Sequence, residues 1–358
     1  HMATIDPLAR AAGITVVLLT GREKGKTREA VLAGLASGET ALCVGTHALF
    51  QDDVIFHDLA FAVVDEQHRF GVHQRLMLAE KGAGTDVLVM TATPIPRTLT
   101  LAAFGDLDVS RLPEKPPGRK PVETRALPLS SLGQVIERIA AKSALGERVY
   151  WVCPLIEESE VLDVAAASER FETLKKIIGD RVGLVHGAMK GKDKDAVMAQ
   201  FASGEITVLV ATTVIEVGVD VPEATVMVIE QAERFGLAQL HQLRGRIGRG
   251  AEASVCILLY AQPLGATAKA RIDIMRQTDD GFRIAEEDLR LRGAGEVLGT
   301  RQSGLPELRL ADLAADGELL EIARKDARLI LEKNLGLEGE RGKALRVLLY
   351  LFERDGVV

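Results

Sequence analysis

Aromatic side chains are scarce in this sequence, at 4% of 358 residues. Base stacking on an aromatic platform is therefore a poor basis for any nucleic-acid contact. No apolar run approaches the roughly 18 residues a membrane span requires, and the first residues do not read as a secretory signal. Only three cysteines occur, Cys43, Cys153 and Cys256, too far apart for metal-ligand spacing. They read as reduced thiols of a cytoplasmic protein. Basic residues do not predominate: the net charge is −7. A wholly cationic nucleic-acid coat is excluded, but a local basic groove is not, because binding follows the local field. The last absence concerns nucleotide chemistry. No G-x-x-x-x-G-K-[ST] phosphate loop is present. The nearest string runs from Gly21 to Thr27, with three residues rather than four between Gly21 and Gly25. One residue fewer changes the curvature of a nest of backbone N–H groups, so the string reads as a basic loop or a solvated turn. His1-Met2 reads as the remnant of a cleaved tag.

Two blocks of alternating strand and helix patterns are present. Continuous apolar runs at residues 14–19, 41–44, 59–64 and 86–90 predict buried parallel strands in the first. Residues 148–153, 182–185, 207–211, 225–229 and 254–259 predict the same in the second. Such runs suit sheets covered on both faces. Helices are expected over 28–35, 168–178 and 193–201. The proline-rich stretch at 114–121 reads as a linker. Beyond about residue 263, strand signals give way to short helical runs and Gly-rich breaks. The expected divisions are 1–117, 118–262 and 263–358.

The most informative string is residues 63–72, where an apolar strand ends in Asp65 and Glu66 and continues into Gln67 and His68. Paired acids at the C-terminal edge of a parallel strand are how a nucleotide-hydrolysing sheet presents a magnesium-holding carboxylate and a water-polarising one. Taken alone, the pair reads equally well as a solvated strand edge. Thr91 and Thr93 follow another buried strand, where their hydroxyls could sense the acid pair. In the second block, Thr212, Thr213, Gly218 and Asp220 share one loop after a strand. Residues 242–249 then set Arg246 and Arg249 three apart. On a helix that spacing places both guanidiniums on one face. Their planar, permanently charged forks suit phosphate; the bland alternative is a surface helix whose arginines serve solubility.

These strings, in this order, resemble the superfamily 2 helicases and translocases. The match is closest to the RecG family of bacterial branched-DNA helicases, through residues 45–51, 63–72, 90–99, 233–242 and 281–289. The resemblance implies an α/β fold of RecA-like parallel-sheet lobes followed by a mostly helical translocation module. It implies ATP and Mg2+ between the lobes. Asp65 would hold the metal through water, Glu66 would orient the attacking water with His68 beside it, and Arg246 and Arg249 would meet the phosphates. Gly218, Asp220 and Gln242 would complete the nucleotide site. Gly45, Thr46 and His47 match a DNA-contacting motif. Thr91, Thr93, Thr212 and Thr213 would couple nucleotide to DNA, and Arg292, Arg301 and Gln302 match residues that transmit lobe closure to DNA movement. The implied partners are forks and Holliday junctions, together with single-stranded-DNA-binding protein; no membrane is implied. Family members carry a wedge domain and the phosphate loop before the region matching Ala3. The expectation is therefore a first lobe that is truncated, catalytically inactive alone, and prone to self-association through uncovered surface. A transcription-repair coupling translocase is the rival within the class. A non-catalytic DNA-binding scaffold is the rival outside it.

Overall fold

The structure is a computed structural model; it describes residues 1–66, 81–82, 84–92, 108–112, 114, 116–154, 160–212, 221–292, 317–334 and 336–352. These fall into two compact units, one holding the described residues through Ala92 and the other those from 108 onward.

The first unit contains helix α1 (Met2–Ala11), strand β1 (Val16–Leu19), helix α2 (Lys26–Ser37), strand β2 (Leu42–Gly45), a 3-10 turn at His47–Phe50, and strands β3 (Phe61–Val64) and β4 (Asp86–Val89). β1 pairs with β2, and β3 with β4, both in parallel. Leu19, Leu35, Ala48 and Val54 form one small core; Phe50, Ala62 and Val64 form another. The expectation of full coverage fails here. Ala62 and Val64 are buried, whereas Phe61, Val63, Leu88 and Met90 are between 39% and 58% exposed. Because strand side chains alternate in direction, one face of the β3–β4 pair is packed and the other is an open apolar surface.

The second unit carries β5 (Val122–Pro128), α3 (Leu132–Ala144), β6 (Arg148–Val152), α4 (Glu160–Ile178), β7 (Val182–Val185), α5 (Gly191–Ser203), β8 (Val208–Ala211), β9 (Ala224–Ile229), α6 (Leu237–Arg244), β10 (Ser254–Tyr260), α7 (Ala266–Gln277), α8 (Gly281–Arg292), α9 (Gly317–Lys333) and α10 (Gly339–Phe352). Its six described strands run in the order β5-β10-β9-β6-β8-β7, every pairing parallel. Here full coverage holds. Along β6, Tyr150 and Val152 enter one core, with Phe201 of α5 and Leu237, Leu240 and Leu243 of α6. Val149 and Trp151 enter the other, with Val135 and Ile139 of α3 and Leu174 of α4. Helices thus cover both faces, which explains why β6, β8 and β9 read as unbroken apolar runs. Each fully buried large side chain, such as Trp151, Phe201 or Leu240, contributes about 1.5–3 kcal/mol of transfer free energy. The chain leaves β8 on one side of β6 and returns as β9 on the other. The carboxyl ends of β6, β8 and β9 therefore flank a topological switch point, where open α/β sheets bind ligands.

Candidate nucleotide and DNA site

The string at Gly21–Thr27 is a turn closed on its own acid. Thr20 donates both its N–H and its hydroxyl to Glu23 Oε2, at 2.5 and 2.6 Å, and Arg22 N–H donates to Thr20 Oγ1. Those bonds from Thr20 hold the Glu23 carboxyl below its ordinary range. The Glu23 carboxylate thus folds back on the donors of Thr20 at the entrance to this turn, where a phosphate cradle would need donors free.

Asp65 and Glu66 emerge from the carboxyl end of β3, both half-buried. Asp65 Oδ1 accepts the Glu66 N–H at 2.9 Å, and Glu66 has φ of 55°. That conformation is uncommon outside glycine, asparagine and aspartate and turns the chain sharply after the strand. Asp65 Oδ2 lies 2.8 Å from Nε2 of His1, the tag-like residue. The Met90 N–H donates to the Val64 carbonyl at 2.8 Å, extending the β3–β4 ladder to the residue before Asp65. Thr91 thus leaves β4 at the same ladder edge where the acid pair leaves β3. His68 and Thr93 lie outside the described residues.

Gly45 ends β2 where a Cβ would meet the Leu19 carbonyl at 2.3 Å and the Leu49 side chain at 2.7 Å. Only glycine fits. The Thr46 N–H then donates to Leu19 O at 3.2 Å, leaving Thr46 and His47 exposed at the carboxyl end of the β1–β2 pair. Phe50, closing the same turn, packs on Ala62 and Val64.

In the second unit Thr212 is 2% exposed and follows β8 at the switch point, its N–H donating to Val185 O at 3.3 Å. Thr213, Gly218 and Asp220 lie outside the described residues, as do Arg301, Gln302 and the side chain of Arg292. Gln242 is half-buried on α6. The arginine pair departs from expectation. Helix α6 ends at Arg244, so Arg246 and Arg249 lie on the turn beyond it rather than on one helical face. The cause is local. Ile247 is fully buried and draws the turn into the core. Gly248 takes φ of +69°, and a Cβ there would lie 2.7 Å from Val122 Cγ2. Arg249 Nε donates back to the Gly245 carbonyl at 3.1 Å, leaving the residue exposed, while Arg246 is half-buried. From the linker, Arg119 Nε donates to Gly248 O at 2.9 Å.

Three buried or half-buried ionic residues escaped sequence reasoning. Glu230 follows β9 at the switch point; it accepts Trp151 Nε1–H and Arg170 Nε–H on Oε1, both at 2.5 Å, and Arg170 Nη2–H on Oε2 at 3.1 Å. Arg244 is buried on the apolar stripe of α6, four residues after Leu240 and seven after Leu237. A cation at a core-facing position of that period is the signal that could have found it.

A parallel sheet covered on both faces, with paired acids on one unit and glycine-bounded arginines on the other, defines a helicase-class α/β protein. The helicase conserved C-terminal domain matches residues 130–251. The C-terminal part of domain 3 of the ATP-dependent DNA helicase RecG matches residues 278–345. The chain belongs to the RecG family, within its C-terminal portion. It is 54% identical over 327 residues to the ATP-dependent DNA helicase RecG of Escherichia coli (strain K12), covering 90% of this chain and 47% of that protein. The protein of the same name from Bacillus subtilis (strain 168) is 48% identical over 329 residues, 91% of this chain and 48% of that one. The chain thus spans about half the length of these curated relatives. The structure of RecG bound to a three-way DNA junction superposes with a TM-score of 0.67 at 42% identity, over 89% of this chain and 42% of that one. The Mycobacterium smegmatis helicase Lhr, bound to ssDNA and AMP-PNP, matches at a TM-score of 0.56 and 19% identity over 78% of this chain and 39% of its own, a likeness of fold.

Proposed function

We propose that this chain is the C-terminal part of an ATP-dependent double-stranded DNA translocase that remodels branched DNA, namely stalled forks and Holliday junctions. The observation that carries the reading is the Asp65–Glu66 pair at the carboxyl edge of β3 with Thr91 leaving β4 at the same ladder edge. Hard carboxylate oxygens at a strand edge suit Mg2+, which dehydrates reluctantly and is commonly held through water. When bound, the ion neutralises phosphate charge. In this reading Asp65 holds it through water and Glu66, with His68 next to it in sequence, orients the attacking water. Arg246 and Arg249 stabilise phosphate charge, with Gly218, Asp220 and Gln242 completing the nucleotide's surroundings. Gly45, Thr46 and His47 take the DNA backbone. Thr91, Thr93, Thr212 and Thr213 relay nucleotide state, and Arg292, Arg301 and Gln302 couple it to DNA movement. Branched DNA is the partner in the cytoplasm, with single-stranded-DNA-binding protein as a second partner; no described helix is long and apolar enough to cross a membrane. This chain, with no phosphate loop in its sequence, is expected not to hydrolyse ATP by itself.

The test is DNA-stimulated ATP hydrolysis by a protein of the relatives' full length, with and without Glu66→Gln. The substitution keeps the side chain's size and removes its basicity. Turnover is expected to fall about a hundredfold or more, in line with loss of a general base, while junction binding stays within twofold. Junction remodelling that survives Glu66→Gln unchanged would establish the non-catalytic scaffold instead, and robust turnover by this chain alone would overturn the inactivity argument.

A further inference from the structure

Arg244 is 3% exposed, and burial lowers its guanidinium pKa from the ordinary value despite Cys256 and Asp279 acting in the opposite sense. A cation in that position needs partners, because an uncompensated buried charge is strongly unfavourable. Its partners come from three elements. Nη1 donates to the Met275 carbonyl at 2.8 Å and the Thr278 carbonyl at 2.9 Å, at the end of α7, and to Thr124 Oγ1 of β5 at 3.3 Å. Nη2 lies 3.1 Å from His241 Nδ1 on α6. A guanidinium has no acceptor, so His241 accepts at Nδ1. The last turn of α7 leaves carbonyls without intrahelical donors, and a cation there is favoured by the helix dipole. Arg244 is also the last residue of α6, immediately before the turn that carries Arg246 and Arg249. On its far side Thr278 opens the corner leading into α8, where the Thr278 hydroxyl accepts the Asp280 N–H and Asp280 Oδ1 accepts the Phe282 N–H.

We propose that Arg244 is a positioning residue that locks the arginine turn at 245–249 to the α7–α8 corner at 275–282, so that the two move as one body. The lock stands on geometry alone. Its consequence, that a swing of Arg246 and Arg249 against a nucleotide is delivered to α8, rests on the motor reading. A lysine cannot reproduce it, because one ammonium on a flexible stem does not offer two guanidinium nitrogens held in a fixed plane.

Hydrogen exchange on this chain tests the lock with Arg244→Met and Arg244→Lys. In Arg244→Met the amides of 245–250 and 278–284 are expected to exchange at least tenfold faster together, while those of β6, β8 and β9 stay within twofold. Arg244→Lys, which keeps charge and length, should loosen the same two segments by a smaller factor; it also decides the matter if Arg244→Met fails to fold. Loosening of only one segment, equal loosening across the sheet, or no change overturns the proposal. In a protein of the relatives' length, Arg244→Lys should lower DNA-stimulated ATP turnover at least tenfold, with the KM for ATP and the turnover without DNA within twofold. Equal loss with and without DNA would mark a general structural role and refute the coupling. An unsubstituted protein without any DNA-stimulated hydrolysis would sink the motor reading, and the exchange result would then judge the lock alone.

Discussion

Replacing Glu230 by leucine should destabilise the second unit by about 4 kcal/mol. The carboxylate side chain is 9% exposed and bonds Arg170, whose side chain is 18% exposed, as well as the indole of Trp151. Arg170 also lies over the Trp151 ring, 5.8 Å from its centroid. Removing one member of a buried ion pair typically costs about 3–5 kcal/mol, because the other charge is left without a partner. Arg170 keeps a path to water, which places the cost of its lost partner at the lower end of that range. The orphaned Trp151 N–H adds about 1 kcal/mol or more. In a unit of this size each kcal/mol moves the midpoint by about 2–4 °C, so Tm should fall by about 10 °C. Trp151 is the chain's single tryptophan, and its emission reports the site directly during urea unfolding. Removing both charges in Glu230→Leu with Arg170→Met leaves no buried ion unpaired. The double variant should recover about 2 kcal/mol or more of the loss, a non-additivity that a double-mutant cycle measures. A Glu230→Leu cost below about 1 kcal/mol, or strictly additive effects, would refute the assignment of this trio as a coupled network.

Two further predictions concern burial and exposure. Burial pushes the Cys43 thiol up to about 11 and the Cys256 thiol up to about 12, against an ordinary value near 9. Because the folded pKa is raised, the associated stability is fully present below pH 9 and is lost as pH rises toward 11 and 12. The loss is at most about 1.4 kcal/mol per pH unit for each such thiol and smaller for the half-buried Cys43, and urea midpoints measured from pH 8 to 11 should fall in Cys43→Ala less steeply than in the unsubstituted chain. The open face formed by Phe61, Val63, Leu88 and Met90 should drive self-association of this chain. Sedimentation velocity should show the associated species dissociate in Val63→Lys with Leu88→Lys, and a concentration-independent monomer without those substitutions would contradict the expectation.

Most of the second unit's sheet was legible because its physics is local. β6, β8 and β9 are buried on both faces and β10 is buried or half-buried along its length, so composition alone marks them. β5 was missed for the complementary reason. Among the described residues it pairs only with β10, and its sequence Val-Glu-Thr-Arg-Ala-Leu-Pro alternates half-buried with exposed positions before its last residues, so its polar side chains blended into the proline-rich linker. Helix α3 was missed with it, although Val135, Ile136 and Ile139 face the core at helical spacing. In the first unit the same apolar runs misled, since hydrophobicity does not say whether a second layer is there to cover it. Phe61 and Val63 are as apolar as Val226 and Val228, yet only the latter are covered.

The site divides along the same line. Paired acids after an apolar strand were readable because strand direction and the carboxyl-edge rule fix where such residues must lie. The arginines were recognised by type and misplaced by conformation. A spacing of three implies one face only while the helix continues, and here it stops at Arg244 because Gly248 adopts a positive φ and Ile247 must reach the core. Those requirements come from Val122 and from the sheet beneath, residues far away in sequence. The same long-range dependence hides Arg244 and Glu230: as letters they are two charges among many, and only the carbonyls of α7 and the indole of Trp151 turn them into anchors. A permanently charged side chain that the fold buries at the base of a turn bearing two exposed or half-exposed arginines costs stability unless it is fully satisfied. That its partners include the carbonyls at the end of the next helix makes the orientation of the arginine turn a property of α7 and α8 as much as of α6.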